Sequence, residues 1–375
     1  MNILGIRLNV LIGKTVPVPL APWLTEALDK VEVTHKDEGC SGFQLVFRVG
    51  RGGPSTLLDY PTMTAVTAGM RVVMTVLFGG IPRVLSDGII THVQLIPRNE
   101  PGESLLCATG EDLTWAMGME EKQVEHPAQS ESIIVQEIIG KYGQYGIVPD
   151  VIPPSLIDPP LTTERVPVQR GSDLDYIRLL AQRFGYDFYI TPGPIPETNQ
   201  AYWGPRKQFG VPQRALTVNM GSATNVESID FKDDSQKPIT VSGYVQDRQT
   251  NKKMPVQTVA STRIPIALSL PNPLNVRKVL FQPSSGLTAT QSLSRAQGCM
   301  DASMDKSTVN GKLDTARYNG ILWPRKLVGL RGVGFKNDGL YYVKQVTHCI
   351  ERGQYSQEFQ LSRSGTGSMV PVVVP

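Results

Sequence analysis

One segment constrains this chain more than any other: residues 168–190 read as a capped helix that runs directly into a strand. Ser172 is placed to cap the helix. Asp175 follows three residues later, an acidic variant of the capping box that satisfies free backbone N–H groups of the first turn. Leu174, Ile177, Leu180, Ala181 and Phe184 recur at helical spacing and give one apolar face. Gly185 ends the helix, because glycine enters the left-handed conformation without a side-chain clash. Tyr186, Phe188 and Ile190 then alternate with Asp187 and Tyr189, the period of a half-buried strand. The unit has no chemistry of its own, so its value is architectural.

Around it the chain reads mostly as short strands. With 35 glycines and 29 prolines in 375 residues, turns outnumber long helices, and 375 residues suffice for two or three domains. In the N-terminal stretch Arg7 and Asn9 interrupt an apolar series with a two-residue alternation, which predicts a first strand and not a signal peptide. Phe43, Leu45, Phe47 and Val49 predict a second strand ending in the Gly50–Pro54 turn, and Arg71–Phe78 and Ser86–Ile96 predict two more. Such closely spaced strands suit an antiparallel barrel or sandwich. The character changes after residue 107. Residues 111–117 predict a short helix, and Ser130 caps another that Gly143 would stop. Pro149–Pro160 is a connector that cannot be helical. Residues 191–215, with Trp203-Gly204-Pro205, read as a loop. A polar, proline-punctuated insertion follows from about 250 to 287, then a helix marked by Ala289, Leu293, Ala296, Met300 and Met304. Leu340–Ile350 and Tyr355–Leu361 form a hairpin around Glu351-Arg352-Gly353-Gln354. No repeat of fixed period is visible, which argues against a solenoid or propeller.

Catalytic and ligand-binding signatures are missing from the sequence. Lys plus Arg number 37 against 34 Asp plus Glu, a net charge of +3 that gives no pull toward nucleic acid or a membrane surface. Cys40, Cys107, Cys299 and Cys349 contain no CxxC pair, so neither a zinc site nor a disulfide framework is indicated, and folding in a reducing cytoplasm is the simpler reading. His35, His92, His126 and His348 lack metal-ligand spacing. No GxSxG elbow occurs, and Gly329-Leu330-Arg331-Gly332-Val333-Gly334 has the wrong glycine order for a phosphate loop. Glu120, Glu121 and Glu125 form a polar run with Lys122 and Gln123, a solvated face and not the apolar pocket a glycosidase acid requires. No stretch approaches the roughly 18 apolar residues of a membrane span.

As a pattern, residues 168–190 resemble a segment of contractile-tail baseplate hub proteins: the phage late-control D family, the hub part of type VI secretion spike proteins, and hubs of extracellular contractile injection systems. The likeness extends over about residues 25–365. It includes Val31-Glu32-Val33 with Phe43–Phe47, Gly69–Val72, Phe78-Gly79-Gly80, Gly88-Ile89-Ile90 and Cys107–Leu113. It closes with Gly320–Leu322, Gly332-Val333-Gly334, Gly339–Val343, Thr347-His348 and Phe359–Arg363.

The resemblance implies a mainly β chain with α+β insertions. Two related tube-forming β-barrel domains, 1–107 and 215–250 plus 310–365, would flank a helix-containing middle domain at 108–214, with an insertion at 251–309 and a tail at 366–375. It implies a non-enzymatic structural hub without cofactor or metal. Three chains would form a pseudo-six-fold ring between the hexameric tail tube protein and a separate trimeric spike protein, since 375 residues leave no room for a fused spike. Baseplate wedge proteins would bind outside. The chain would assemble in the cytoplasm of the producing bacterium, with no specific nucleic acid and no membrane insertion of its own. Val370, Val372, Val373 and Val374 are the candidate partner-binding residues, docking on the spike or a neighbouring subunit. Two other readings stay open: a tail-associated cell-wall hydrolase, and the tail-tip hub of a non-contractile phage.

Overall fold

The computed structural model describes residues 2–3, 6–14, 16–49, 65–100, 102–154, 166–207, 210–234, 236–248, 250–259, 277–282 and 288–365. The Gly50–Pro54 turn, residues 155–160 of the proline connector and the valines at 370–374 lie outside them.

In chain order the first part contributes β1 (Asn2–Ile3), β2 (Ile6–Gly13), β3 (Val18–Pro19), α1 (Pro22–Ala27), β4 (Leu28–Lys36), β5 (Gly42–Val49), β6 (Arg71–Phe78), β7 (Ile81–Ile96) and β8 (Ser104–Asp112). The middle part follows with α2 (Thr114–Met117), β9 (Glu121–Glu125), α3 (Glu131–Gly140), β10 (Ile147–Val151), β11 (Val168–Ser172), α4 (Asp173–Phe184), β12 (Tyr186–Pro192) and β13 (Asn199–Pro205). The last part holds β14 (Gln213–Thr217), β15 (Val226–Asp233), β16 (Ile239–Gln246), β17 (Lys253–Gln257), β18 (Arg277–Leu280), α5 (Ala289–Ser303), β19 (Ser307–Asp314), α6 (Thr315–Tyr318), β20 (Leu327–Arg331), β21 (Gly339–Glu351) and β22 (Gln354–Arg363).

The chain is mainly β, as the sequence predicts, and fourteen strands join in one sheet. That sheet contains the same strand path twice. In the first half the order is β2-β6-β7-β8-β5-β4; in the second it is β14-β20-β21-β22-β19-β15. Two register breaks coincide as well. The β4–β5 and β15–β19 pairs each slip just after the first residue, at Leu28/Lys30 and Val226/Ser228. The β7–β8 and β21–β22 pairs slip at Ile90/His92 and Val343/Gln345. Such bulges increase local twist and curl a sheet toward closure. One difference is that β2 runs antiparallel to β6 whereas β14 runs parallel to β20. The two halves are fused where β4 pairs antiparallel with β21.

Each half encloses its own apolar core, fed by alternate residues of its strands. Leu45, Phe47, Val72, Met74 and Leu106 lie in the first, Val309, Leu313, Val343, Phe359 and Leu361 in the second. A third cluster, with Ile134, Ile138, Ile177, Leu180 and Trp203, fills the middle part, and a small fourth one, with Val241, Val256, Phe281 and Ala296, fills the insertion.

The helix–strand unit forms as read. The Ser172 hydroxyl accepts from Asp175 N at 3.1 Å, and Gly185 takes φ +65° at the end of α4. Its C-terminus meets α5, where Gly185 and Gly298 approach so closely that a Cβ on either would collide with the other's backbone.

Three expectations change. Residues 199–205, within the stretch read as a loop, form the central strand of a three-stranded sheet, because Tyr202 and Trp203 are both fully buried there despite the flanking Gly204-Pro205. The helix after Ser130, whose side chain makes no cap hydrogen bond, ends at Gly140 and not at Gly143; a 3-10 turn at Gly143–Tyr145 follows, closed by left-handed Gly146. Residues 239–246, assigned by sequence to the second barrel, pair instead with β17 and β18 in a separate small sheet under α5. The run Glu121–Glu125 forms a strand paired with β11, and Glu120, Glu121 and Glu125 are exposed, in keeping with its reading as a solvated face.

Candidate assembly surface

Fusion of the halves through β4 and β21 creates a sheet eight strands wide: β7-β8-β5-β4-β21-β22-β19-β15. Side chains alternate across it. One face carries both cores. The other is largely polar and crosses the seam without a break. One row runs His92, Thr109, Gln44, Glu32 and Cys349, each directly opposite the next. A second runs Thr34, Thr347, Glu358, Lys312 and Ser228. A third runs Gln345, Gln360, Asn310 and Asp230.

Local pairs hold this face together. The Thr34 and Thr347 hydroxyls hydrogen-bond across the seam at 3.0 Å, and Gln360 Nε2 donates to Asn310 Oδ1 at 3.1 Å. Lys30 bridges Glu32 at 2.6 Å and Glu351 at 3.6 Å, again across the seam. Exposed pairs of this kind add only about 0–1 kcal/mol each, so they set register more than stability.

Behind the seam the chemistry is different. His35 and His348 are fully buried, ring against ring at 5.6 Å, with Trp323 beside them and the Tyr355 hydroxyl 3.0 Å from His348 Nδ1. Burial, and next the Arg325 guanidinium, push His35 down to about 3; burial and His35 hold His348 well below the usual imidazole range. Both rings are therefore neutral packing elements.

Arginines tie the other units to this seam. Arg325 stacks 3.7 Å over the Tyr189 ring of the middle part and donates to the Lys36 carbonyl. Arg206, just past β13, pairs with Asp187 at 3.2 Å, Asp37 at 3.7 Å and Glu38 at the β4–β5 turn, and lies over Tyr342. Arg71 forms a buried fork on Asp87, at 2.8 and 2.7 Å, and reaches the Tyr145 carbonyl at 2.9 Å; Asn199 Nδ2 donates to the same carboxylate at 2.8 Å. These contacts lock the middle part onto the first half.

The remaining candidate groups are dispersed. His126 stacks on Tyr176 and His92 is exposed beside Thr91. Glu120 is paired with Lys122 at 3.2 Å. Among the described residues the four cysteines are free, and no group of three or more His, Cys, Asp or Glu side chains could hold a metal ion. No helix among them is long and apolar enough to cross a membrane. A cleft of about 1470 Å³ opens between α4 and α5 beside Arg206, whose carboxylate partners Asp37, Glu38 and Asp187 line it too. Val370, Val372, Val373 and Val374 fall outside the described residues. Sequence reasoning missed the seam itself; the alternation in β4 and β21 signals two strands, but nothing local pairs residues 300 positions apart.

No protein-family model matches this chain, and no curated protein matches it. Solved structures do. A tail protein from Neisseria meningitidis aligns over 95% of this chain and 96% of its own, with a TM-score of 0.64 at 12% identity. A 43 kDa tail protein of prophage MuSo2 from Shewanella oneidensis aligns over 96% and 98%, with a TM-score of 0.65 at 10% identity. The E. coli c3393 protein, a component of the type VI secretion system with structural similarity to T4 bacteriophage tail proteins, aligns over 93% and 77%, with a TM-score of 0.53 at 12% identity. The chain thus has, nearly end to end, the fold of phage tail proteins and of hub-like type VI proteins.

Proposed function

We propose that the chain is a structural baseplate hub of a contractile tail or tail-like injection particle, acting as a trimer that joins the tail tube protein to a separate spike protein. One observation carries this reading: the polar face that spans eight strands of both halves without interruption. Fusing the two barrels covers the β4 and β21 edges and lays their outer faces in one continuous surface, as the inner wall of a tube requires. At about 4.8 Å per strand, eight strands span roughly 38 Å of arc; three copies give about 115 Å, a ring roughly 37 Å across at the backbone. Each chain supplies two equivalent halves, so three chains supply six, matching a six-fold tube above while keeping three-fold symmetry for a spike below.

In this reading 1–107 and 215–250 plus 310–365 outline the tube-forming domains, with β16 lent to the insertion, and the middle part and insertion face outward toward wedge proteins. The role is non-enzymatic and needs no cofactor. The particle is assembled in the bacterial cytoplasm and the chain ends in its tail baseplate. Val370, Val372, Val373 and Val374 would dock on the spike or a neighbouring copy; a deletion of 366–375 that leaves spike binding unchanged removes that assignment.

The test is the native mass of the purified chain, alone and with the spike protein encoded beside it, followed by electron microscopy. A trimer, or a three-to-three complex showing a six-lobed ring, is expected. A chain that stays monomeric with the spike present overturns the hub.

A further inference from the structure

The two halves make one equivalent connection very differently. In the first, β6 passes to β7 through Gly79-Gly80, a turn whose tip has no side chain. Ile81, the nearest exposed apolar residue, already pairs with Phe78 on the strand. In the second, the same step from β20 to β21 takes residues 332–338. Two residues suffice for the connection, so the longer loop has another use.

That loop holds one side chain in the open. Phe335 is 83% exposed, and no other aromatic ring among the described residues is as open. The backbone around it is fixed. Asn337 N and Asp338 N both donate to the Gly334 carbonyl, at 2.9 and 2.8 Å, and Val333 N donates to Asp338 Oδ1 at 2.9 Å. The Tyr341 hydroxyl donates to the Asn337 carbonyl at 2.7 Å. Arg363, buried, donates from Nη1 to the Asp338 carbonyl at 3.0 Å and from Nη2 to the Lys336 carbonyl at 2.8 Å, and lies 4.3 Å over the Tyr341 ring. A buried charge is costly unless it is well hydrogen-bonded, and these bonds go to the loop's own carbonyls. Gly332 takes φ +88°, and a Cβ there would strike the Val218 carbonyl. Met220, 45% exposed, sits close to the same glycine and widens the apolar tip. An exposed ring on an ordered loop is the form of an interface anchor. Little conformational freedom is left to lose on binding, and Phe and Met are enriched where proteins meet.

Position and number point to the partner. The loop joins two strand ends, so it projects from an end of the barrel and not from its side. In a ring of copies the sides meet neighbouring copies, and the ends meet the layers above and below. The loop also occurs once per chain, since its first-half counterpart is the glycine turn. A six-fold tube would need it twice per chain; a three-fold spike needs it once. Arg363, the last residue of β22, braces it, so the loop stands at the end of the barrel where β22 finishes.

We infer that Phe335, flanked by Met220, docks in an apolar pocket of the trimeric spike protein, with three such contacts per complex. This deepens the hub reading and rests on it for the ring and its two layers.

The experiment compares the full chain with Phe335→Ser and Phe335→Leu. Native mass, melting temperature and affinity are measured, the last for the purified spike protein and for the purified tail tube protein. Val211→Ser is the control: Val211 is 91% exposed and precedes β14 at the end opposite the loop. All variants are expected to keep the parent's oligomeric state and melting temperature. Phe335→Ser should bind the spike at least about thirtyfold more weakly, with Phe335→Leu in between, while tube affinity and the control stay unchanged. A parent chain that binds the spike, with Phe335→Ser binding it as tightly, overturns the anchor and leaves the hub standing. A variant that loses the tube protein instead, or no longer assembles with its own copies, gives the loop to another partner and also overturns it. A parent chain that stays monomeric with the spike present overturns the hub reading, and this inference with it.

Discussion

The two halves of the large sheet follow one strand path yet fill it differently. In the first half the Phe43 ring on β5 covers Gly110 directly opposite on β8 and also reaches Gly88. In the second the roles are exchanged: Phe359 on β22, the counterpart of β8, covers Gly311 on β19, the counterpart of β5. An aromatic ring laid over a cross-strand glycine solves the same problem of tight curvature in both, from opposite strands. The halves also differ where they meet other units. Arg71 on β6 and Asp87 on β7 form a buried ion pair that holds the middle part; the register places Leu327 and Leu340 at those positions in the second half. The lesson is that strand path, bulges and seam can be shared while side chains diverge according to what each half must bind.

The sharpest way to break this comparison is to remove its charged member. Arg71→Leu strands the Asp87 carboxylate in the interior, and stability should fall by about 3–5 kcal/mol. Chemical denaturation measures it; a loss below about 1 kcal/mol would mean that the middle part is held by packing and not by this pair. Gly110→Val and Gly311→Val come next, each driving a side chain into the covering phenylalanine at about 3 kcal/mol. If the β4–β21 seam makes the halves one cooperative unit, both variants lower a single melting transition by similar amounts. Two separate transitions, each moved by one variant, would show halves that unfold independently.

Acid sharpens the seam. His35 and His348 stay neutral in the fold, whereas in the unfolded chain they titrate near 6.5. Above pH 6.5 both states are neutral there and these groups add no pH dependence. Below it the unfolded chain gains protons that the folded chain refuses until about 3 for His35, so stability falls as pH drops through that window. His35 contributes a loss on the order of 2 kcal/mol between pH 6.5 and 4.5, and His348 a loss of the same sign. Arg325 adds to the effect by repelling a protonated ring, and the Tyr355 hydroxyl on His348 does not reverse it. Denaturation of His348→Leu at pH 7.5 and 4.5 should show a clearly smaller difference than the parent chain; an unchanged difference would place the acid-sensitive groups elsewhere. The smallest effect belongs to the cap of α4. Ser172→Ala removes its bond to Asp175 N and should cost about 1 kcal/mol by the same assay.

Local signals carried the sequence reading a long way. The α4–β12 unit was legible because cap, apolar stripe and glycine stop all lie within 20 residues. The β21–β22 hairpin was legible for the same reason, with Gly353 supplying its positive φ. Residues 199–205 were misread because Trp203-Gly204-Pro205 has turn composition, and only burial against α4 made it a strand, with Trp203 Nε1 donating to the Ile177 carbonyl at 3.4 Å. Residues 239–246 alternate well enough for any sheet, so alternation could not say which one they join.

The sequence by itself determined that this chain is mainly β and where its principal helices start. Those properties follow from side-chain period and backbone preference, which act over a few residues. The tertiary structure alone decided that two stretches with no visible repeat trace one path and that β4 joins β21 over more than 300 residues. Strand pairing is made by backbone groups common to nearly every residue, so partner and register are set by the whole fold and leave no mark in any one segment.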